Sequence, residues 1–264
     1  MTVVEVPQWR GSGAPTAERL REGARLLATM VPADERVLVE VEDDLVSTAS
    51  RVREAVSKVD GGLLVAVGGD CGIDLEPVAA ALRRYGDRLV VIWFDAHGDL
   101  NTPESSPSGA YHGMVLRALT GEGPAGLVAE RPVDPGRVVL AGVRDLDPAE
   151  AAFVTAAGVR HVRAPDPVTL TDAIAAAGSP GDPVVYVHID LDVLDPEIFA
   201  SVGSPAADGL RPDQLLALVT TVAERFQVAG LGITEYEPSR PEDQDLLAPL
   251  VEALVEVCAR HVAK

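Results

Sequence analysis

The sequence predicts an α/β fold, three layers deep in the order αβα, around a central and mostly parallel sheet. Three observations predict it: short β-branched runs recur along the chain, longer stretches of helical periodicity separate them, and several runs are apolar on both faces. The runs lie at Val37–Val41, Leu63–Val67, Leu89–Phe94, Val138–Val143, Val184–Ile189 and Val228–Ile233. Strands that alternate with helices need crossover connections, and crossovers make neighbouring strands parallel. Neither Leu63–Val67 nor Leu89–Phe94 contains a polar residue, so both faces of these strands need cover, as in a sheet with helices above and below.

Helices are expected over Thr16–Met30, Ser47–Val59, Leu75–Arg84, Pro148–Ala157, Arg211–Phe226 and Pro241–Val262. Asp147 followed by Pro148 reads as an N-cap and first helical position, and Arg211-Pro212-Asp213 opens another helix. The chain has 264 residues, 47% of them apolar. That is enough for one core, and one domain over residues 1–264 is expected. No solenoid repeat, low-complexity tract or long linker interrupts it.

The charge balance is 22 basic against 41 acidic residues, a net of -19, which repels nucleic acid and anionic membrane surfaces. Neither is an expected partner. Part of the acidity has a different reading, because carboxylates that converge on metal ions count as charges in a sequence while being neutralised in the fold. The two cysteines, Cys71 and Cys258, lie outside any secretory disulfide framework and point to a reduced, cytoplasmic setting. The N-terminus has no signal-peptide pattern and no apolar stretch approaches the roughly 20 residues of a membrane span. A soluble protein is expected.

In an open parallel sheet, ligands bind beyond the carboxyl ends of the strands. Two polar clusters fall there: Asp95-Ala96-His97-Gly98-Asp99 after the run ending at Phe94, and Asp190-Leu191-Asp192-Val193-Leu194-Asp195 after the run ending at Ile189. Alternation along an extended backbone points Asp95, His97 and Asp99 to one side, and Asp190 and Asp192 likewise. Five potential ligands would then face one cleft. Carboxylates with one imidazole favour manganese or a similar borderline divalent ion over calcium, which prefers oxygen alone, and over structural zinc, which prefers thiolates. So many carboxylates suit two ions sharing ligands, a pair that makes hydroxide available near neutral pH.

These strings are similar to those of a known family. GGDC at Gly68–Cys71, DAHGDLNTP at Asp95–Pro103, SGAYHG at Ser108–Gly113, HIDLDVLDP at His188–Pro196 and TEYEP at Thr234–Pro238 resemble the motifs of the arginase and agmatinase ureohydrolases, in the family's order. The resemblance implies an arginase-like fold and two Mn2+ ions. One would be held by Asp95, His97, Asp190 and Asp192, the other by Asp95, Asp99, Asp190 and the residue at position 71. The family pattern has histidine there and this chain has Cys71. Cys71 is either a thiolate ligand of a first site that binds manganese less well or takes another ion, or a buried thiol beside an altered site.

By the same resemblance, Asp99 takes the proton of the attacking water, His112 passes a proton to the leaving amine, and Glu235 receives the guanidinium group. Asn101, Ser108 and Asp147 match positions that hold the amino-acid head of the substrate, with Ala110 in place of an asparagine. Asp147 reads equally as a helix cap. His188 falls on the cleft side by alternation and its role stays open; His161 and His261 read as surface or helix-end residues, and Cys258 as core.

The expected function is hydrolysis of the guanidino group of arginine or a close relative, releasing urea or a urea analogue. N-hydroxyarginine, agmatine and formimidoylglutamate are the alternative substrates. A catalytically impaired binding protein of the same fold is a rival class, and a zinc deacetylase a more distant one. A homo-oligomer, trimer or hexamer, is implied by the resemblance alone.

Overall fold

The computed structural model describes residues 1–177 and 181–263. Its strands are β1 (Thr2–Val6), β2 (Glu35–Leu38), β3 (Leu64–Gly68), β4 (Leu89–Phe94), β5 (Val138–Ala141), β6 (Arg160–Val162), β7 (Val184–Asp190) and β8 (Gln227–Thr234). They form one sheet in the order β2-β1-β3-β8-β7-β4-β5-β6. Every pairing among them is parallel, so the sheet is more uniform than expected.

The helices are α1 (Leu20–Met30), α2 (Leu45–Ser57), α3 (Leu75–Tyr85), α4 (Val115–Leu119), α5 (Pro148–Ala157), α6 (Pro167–Ala176), α7 (Pro212–Arg225) and α8 (Pro241–Arg260). Alternation along β4 shows how the layers form. Val90, Ile92 and Phe94 pack with residues of α1, α6, α7 and α8, while Leu89, Val91 and Trp93 pack with α3 and α4. All six side chains are fully buried, and burying each aliphatic one contributes about 1.5–3 kcal/mol. Cys258 lies in the α8 interface at 0% exposure, as a core thiol should.

All six expected strands and all six expected helices are present, with ends shifted by a few residues. Two strands escaped the sequence pattern. β6 is three residues of an edge strand, too short to show alternation. β1, in contrast, carries the same β-branched signal as the others, with Val3, Val4 and Val6 fully buried. Its edge partner β2 begins two residues earlier than expected and leaves Leu38 exposed. His161 lies within β6, with Nε2 2.7 Å from the Val143 carbonyl oxygen; the helix-end reading holds only for His261. α6 opens with Asp166 capping the amides of Val168 and Thr169 ahead of Pro167, the signal also present at Asp147-Pro148, but its alanine-rich body offers little amphipathic contrast. No described helix is long and apolar enough to cross a membrane.

The strand order sets the position of the site. β3, β8, β7 and β4 are neighbours although they come from distant parts of the chain, and their carboxyl ends are level, with Asp190 beside Thr234 and Phe94 beside Ile189. The segments after these four strands therefore meet, at the kind of crevice where such sheets bind ligands.

Gly23 of α1 faces the turn that follows β8, and a Cβ there would overlap the carbonyl oxygen of Tyr236. Alanine is favoured over glycine in a helix by about 0.5–1 kcal/mol. Gly23→Ala is nonetheless expected to destabilise, by about 1–3 kcal/mol as overpacked sites do, in a denaturant melt. A raised midpoint would refute the contact.

Candidate metal centre

After β3 the chain turns through Gly69 and Asp70 into a 3-10 turn, Cys71–Asp74. The fully buried Asp70 carboxylate accepts from Gln8 Nε2 at 2.9 Å, the Gly11 amide at 2.9 Å and the Gly72 amide at 3.0 Å. It thereby ties the loop after β1 to the turn that presents Cys71. The Cys71 amide donates to Glu235 Oε1 at 3.0 Å, and Sγ lies 3.1 Å from Asp190 Oδ2 and 3.3 Å from Thr234 Oγ1. Burial, reinforced by the Asp190 and Asp99 carboxylates, pushes the thiol well above its usual range. A bound cation reverses that preference.

Asp95 follows β4 directly. Its Oδ2 accepts from Trp93 Nε1 at 3.0 Å and its Oδ1 from the His97 amide at 2.6 Å. His97 Nδ1 is 2.9 Å from Asp192 Oδ2 and 3.5 Å from Asp95 Oδ1. Burial opposes a charge on this imidazole, but Asp192 and Asp95 outweigh it and hold it protonated when no metal is present. Asp192 Oδ1 accepts from the Ala96 amide at 3.0 Å, and the Asp192 amide donates to Asp190 Oδ1 at 2.7 Å.

Convergence comes from turns and not from extended alternation. Asp192 sits in a 3-10 turn, Leu191–Val193, and Asp99 has a left-handed backbone with φ 52°. Glu235 is left-handed too, with φ 62°, and its amide donates to the Gly69 carbonyl at 2.9 Å. Such backbone costs about 1–3 kcal/mol in a non-glycine residue and persists where surrounding structure enforces it. His112 opens a third 3-10 turn, His112–Met114, with its amide on the Gly11 carbonyl and Nδ1 3.1 Å from Glu235 Oε1.

Five carboxylates, those of Asp95, Asp99, Asp190, Asp192 and Glu235, are each no more than 4% exposed. Burial first, then neighbouring carboxylates, raises the proton affinity of Asp95, Asp99 and Asp190. Uncompensated buried charge is strongly destabilising, and a site of this kind accepts either protons or metal cations. The donors assemble in three groups, Cys71–Asp95–His188, Cys71–Asp190–Glu235 and Asp95–His97–Asp192, each with its ligand atoms within 4.8 Å of one another. Asp99 joins none of these groups, yet its Oδ2 is buried without a hydrogen-bond partner. Sharing of Asp95 and Cys71 between groups, together with that orphaned oxygen, fits a pair of divalent ions.

A cavity of about 480 Å³ opens above the cluster. His97, Asp99, Asp190, Asp192, Glu235 and His112 line it, while Asn101, Ser108 and Asp147 lie on its walls; Cys71 and Asp95 are buried beneath. Asn101 Nδ2 donates to Asp147 Oδ2 at 2.8 Å. Asp147 also occupies the N-cap of α5, so its two sequence readings are compatible. Ser108 is exposed at the rim, its hydroxyl accepting from the Ala110 amide at 3.2 Å.

Two supporting residues were missed in the sequence. Buried Glu150 accepts from the amides of Leu100 at 2.8 Å and Asp147 at 2.9 Å, fixing the Asp99 loop to α5; the Asp147-x-x-Glu150 capping spacing was its signal. Arg144 donates to the carbonyls of Asp192 at 2.9 Å and Ala206 and Ala207 at 2.8 Å, clamping the loop after β7. Only its place in the RDLDP string hinted at it.

The arginase family's sequence profile matches residues 19–258. Over 218 residues the chain is 31% identical to an arginase of Entamoeba histolytica, covering 79% of this chain and 72% of that protein. Over 216 residues it is 34% identical to the N(omega)-hydroxy-L-arginine amidinohydrolase of Streptomyces lavendulae, covering 80% and 74%. The fold matches the crystal structure of Entamoeba histolytica arginase in complex with L-ornithine with a TM-score of 0.83 at 24% identity, over 97% of this chain and 96% of that one.

The His112–Glu235 pair has a signature in pH. Burial disfavours the imidazolium, but Glu235 overcomes this and His112 is pushed from the ordinary 6.5 up to about 9. A folded-state value above the unfolded one stabilises in full below the unfolded pKa and stops doing so as pH rises through the folded one. In metal-free protein, His112→Asn should therefore lower the melting temperature below pH 6.5, with the gap closing toward pH 9. A gap independent of pH would remove the ion pair.

Proposed function

The chain belongs to the arginase family, hydrolases of C–N bonds in linear amidines, and on that premise we propose that it hydrolyses the guanidino group of arginine or a closely related amino acid. The observation that carries this reading is the meeting of the two donor clusters with His112 and Glu235 under one small cavity. A cavity of this volume suits a small molecule.

Asp95, His97, Asp190 and Asp192 would hold one ion and Cys71, Asp95, Asp99 and Asp190 the other, with manganese the expected metal of at least the first. The ions, when bound, supply an activated water and neutralise charge developing in the transition state. The chain's own residues do the rest. Glu235, buried and rigidly turned, grips the planar guanidinium through a charged, directional contact and aligns its central carbon. Asp99 accepts the proton released by the attacking water. His112 carries a proton at neutral pH and delivers it to the departing amine. Asn101, Ser108 and Asp147 bind the amino-acid head, Asp147 facing the α-amino group.

N-hydroxyarginine is the second reading. Two observations favour it: the thiol at position 71 changes the donor set nearest the guanidino group, and one of the relatives reported above is named for that substrate. A cytoplasmic homo-oligomer, trimer or hexamer, completes the proposal.

Release of the amine product, measured with arginine, N-hydroxyarginine, agmatine, guanidinobutyrate and formimidoylglutamate, tests it. Turnover of one of the two amino-acid guanidines above the others is expected, and preference for agmatine would overturn the assignment of Asp147. Loss of a hydrogen bond to a charged group costs about 1.5–3 kcal/mol, so Glu235→Gln should lower kcat/KM by about 10- to 150-fold. No amine product from any of the five, with metals supplied, would instead point to a binding protein.

A further inference from the structure

His188 has no part in the chemistry just described, yet it is fully buried beside the centre. Its Nδ1 lies 2.7 Å from Asp74 Oδ2, and Tyr186 Oη donates to the other oxygen of that carboxylate at 2.9 Å. Asp74 and Tyr186 are themselves 0% and 1% exposed. The ring is stacked on Trp93 with centroids 3.4 Å apart and planes 8° from parallel, and the Trp93 indole in turn holds Asp95. Room for this arrangement depends on Gly232 of β8, where a Cβ would overlap the Asp74 carboxylate. The remaining nitrogen, Nε2, is buried and has no hydrogen-bond partner. An imidazole nitrogen of His188 lies within 4.8 Å of both Cys71 Sγ and a carboxylate oxygen of Asp95.

A buried imidazole with one nitrogen on a carboxylate and the other bare is the arrangement of a metal ligand. The carboxylate fixes the proton on one nitrogen and leaves the lone pair of the other free to coordinate. We propose that His188 Nε2 is the imidazole ligand of the ion beside Cys71, completing a thiolate, imidazole and carboxylate set with Asp95 and Asp190. Position 71 lacks the imidazole that the family motif calls for, and β7, which lies beyond β8 from the strand that presents Cys71, supplies one. Asp74 is the positioning residue. The inference rests on the metal-pair reading above and refines it: a sulfur and a nitrogen among the donors select zinc or cobalt(II) over manganese at this position, while the Asp95–His97–Asp192 group keeps the oxygen-rich character that suits manganese. The centre is then built for two different metals.

The test uses the full chain, stripped with a chelator and reloaded with zinc. Histidine-ring nitrogen NMR on the parent protein needs no variant of the buried site, since only five histidines must be resolved, and exposed His161 and half-buried His261 are assigned by substitution. The rings of His97 and His188 are expected to show zinc-bound nitrogen on loading, and His112, beside the centre on Glu235, only a change of protonation. If zinc binds at two ions per chain and only one histidine ring shows zinc-bound nitrogen, the His188 assignment is overturned while the metal pair stands. Fewer than one ion per chain would sink the underlying reading and this one with it. In cobalt-loaded protein the parent should show a thiolate-to-cobalt charge-transfer band that Cys71→Ser abolishes. Asp74→Asn, which leaves every proposed ligand in place, should weaken cobalt at this position by about 10- to 100-fold in a chelator competition. Unchanged cobalt affinity and spectrum in a folded Asp74→Asn protein would count against the proposal.

Discussion

Burial of like charges is the constraint on which the rest of this structure depends. Five carboxylates at the carboxyl ends of three adjacent strands, β8, β7 and β4, are almost completely removed from solvent, with a thiol and two imidazoles among them. Alone, such a cluster opposes folding, since each desolvated carboxylate repels the next. Protons or metal cations relieve the repulsion, and the donor types present suit metal ions. The excess of acidic over basic residues in the chain is thus partly a property of one site.

A centre of this kind needs a frame that does not relax. Each turn that carries candidate donors is pinned by hydrogen bonds between its backbone and polar side chains: buried Asp70 holds the turn of Cys71, half-buried Arg144 the loop of Asp192, and buried Glu150 the loop of Asp99. Those anchors allow Asp99 and Glu235 to keep left-handed backbones that a free loop would abandon. The frame is also continuous with the sheet, because every turn begins at the last residues of a strand buried on both faces.

Seen from this frame, Cys71 is less a defect than one half of an exchange. The thiol and the His188 imidazole approach the same space from β3 and β7. The imidazole is held by an indole face and by a carboxylate that a tyrosine hydroxyl holds in turn, a degree of support that an idle core histidine does not require. Donor type, and with it metal preference, can change in this way without any change in the fold.

By itself the sequence determined the layered α/β architecture, because apolar runs without polar interruption can exist only inside a sheet covered on both faces. It also determined the five acidic and imidazole positions of the two clusters, whose residue types and place after strands announce them. Tertiary structure alone decided how they meet. The expected alternation was replaced by 3-10 turns and positive-φ residues, since local spacing carries no record of the hydrogen bonds from Asp70, Arg144 and Glu150 that bend those segments. Nor could the sequence pair His188 with Asp74, 114 positions away. That contact exists because strand order places β7 beside β8, where Gly232 leaves the space, and strand order is a property of the packed chain and not of any segment within it.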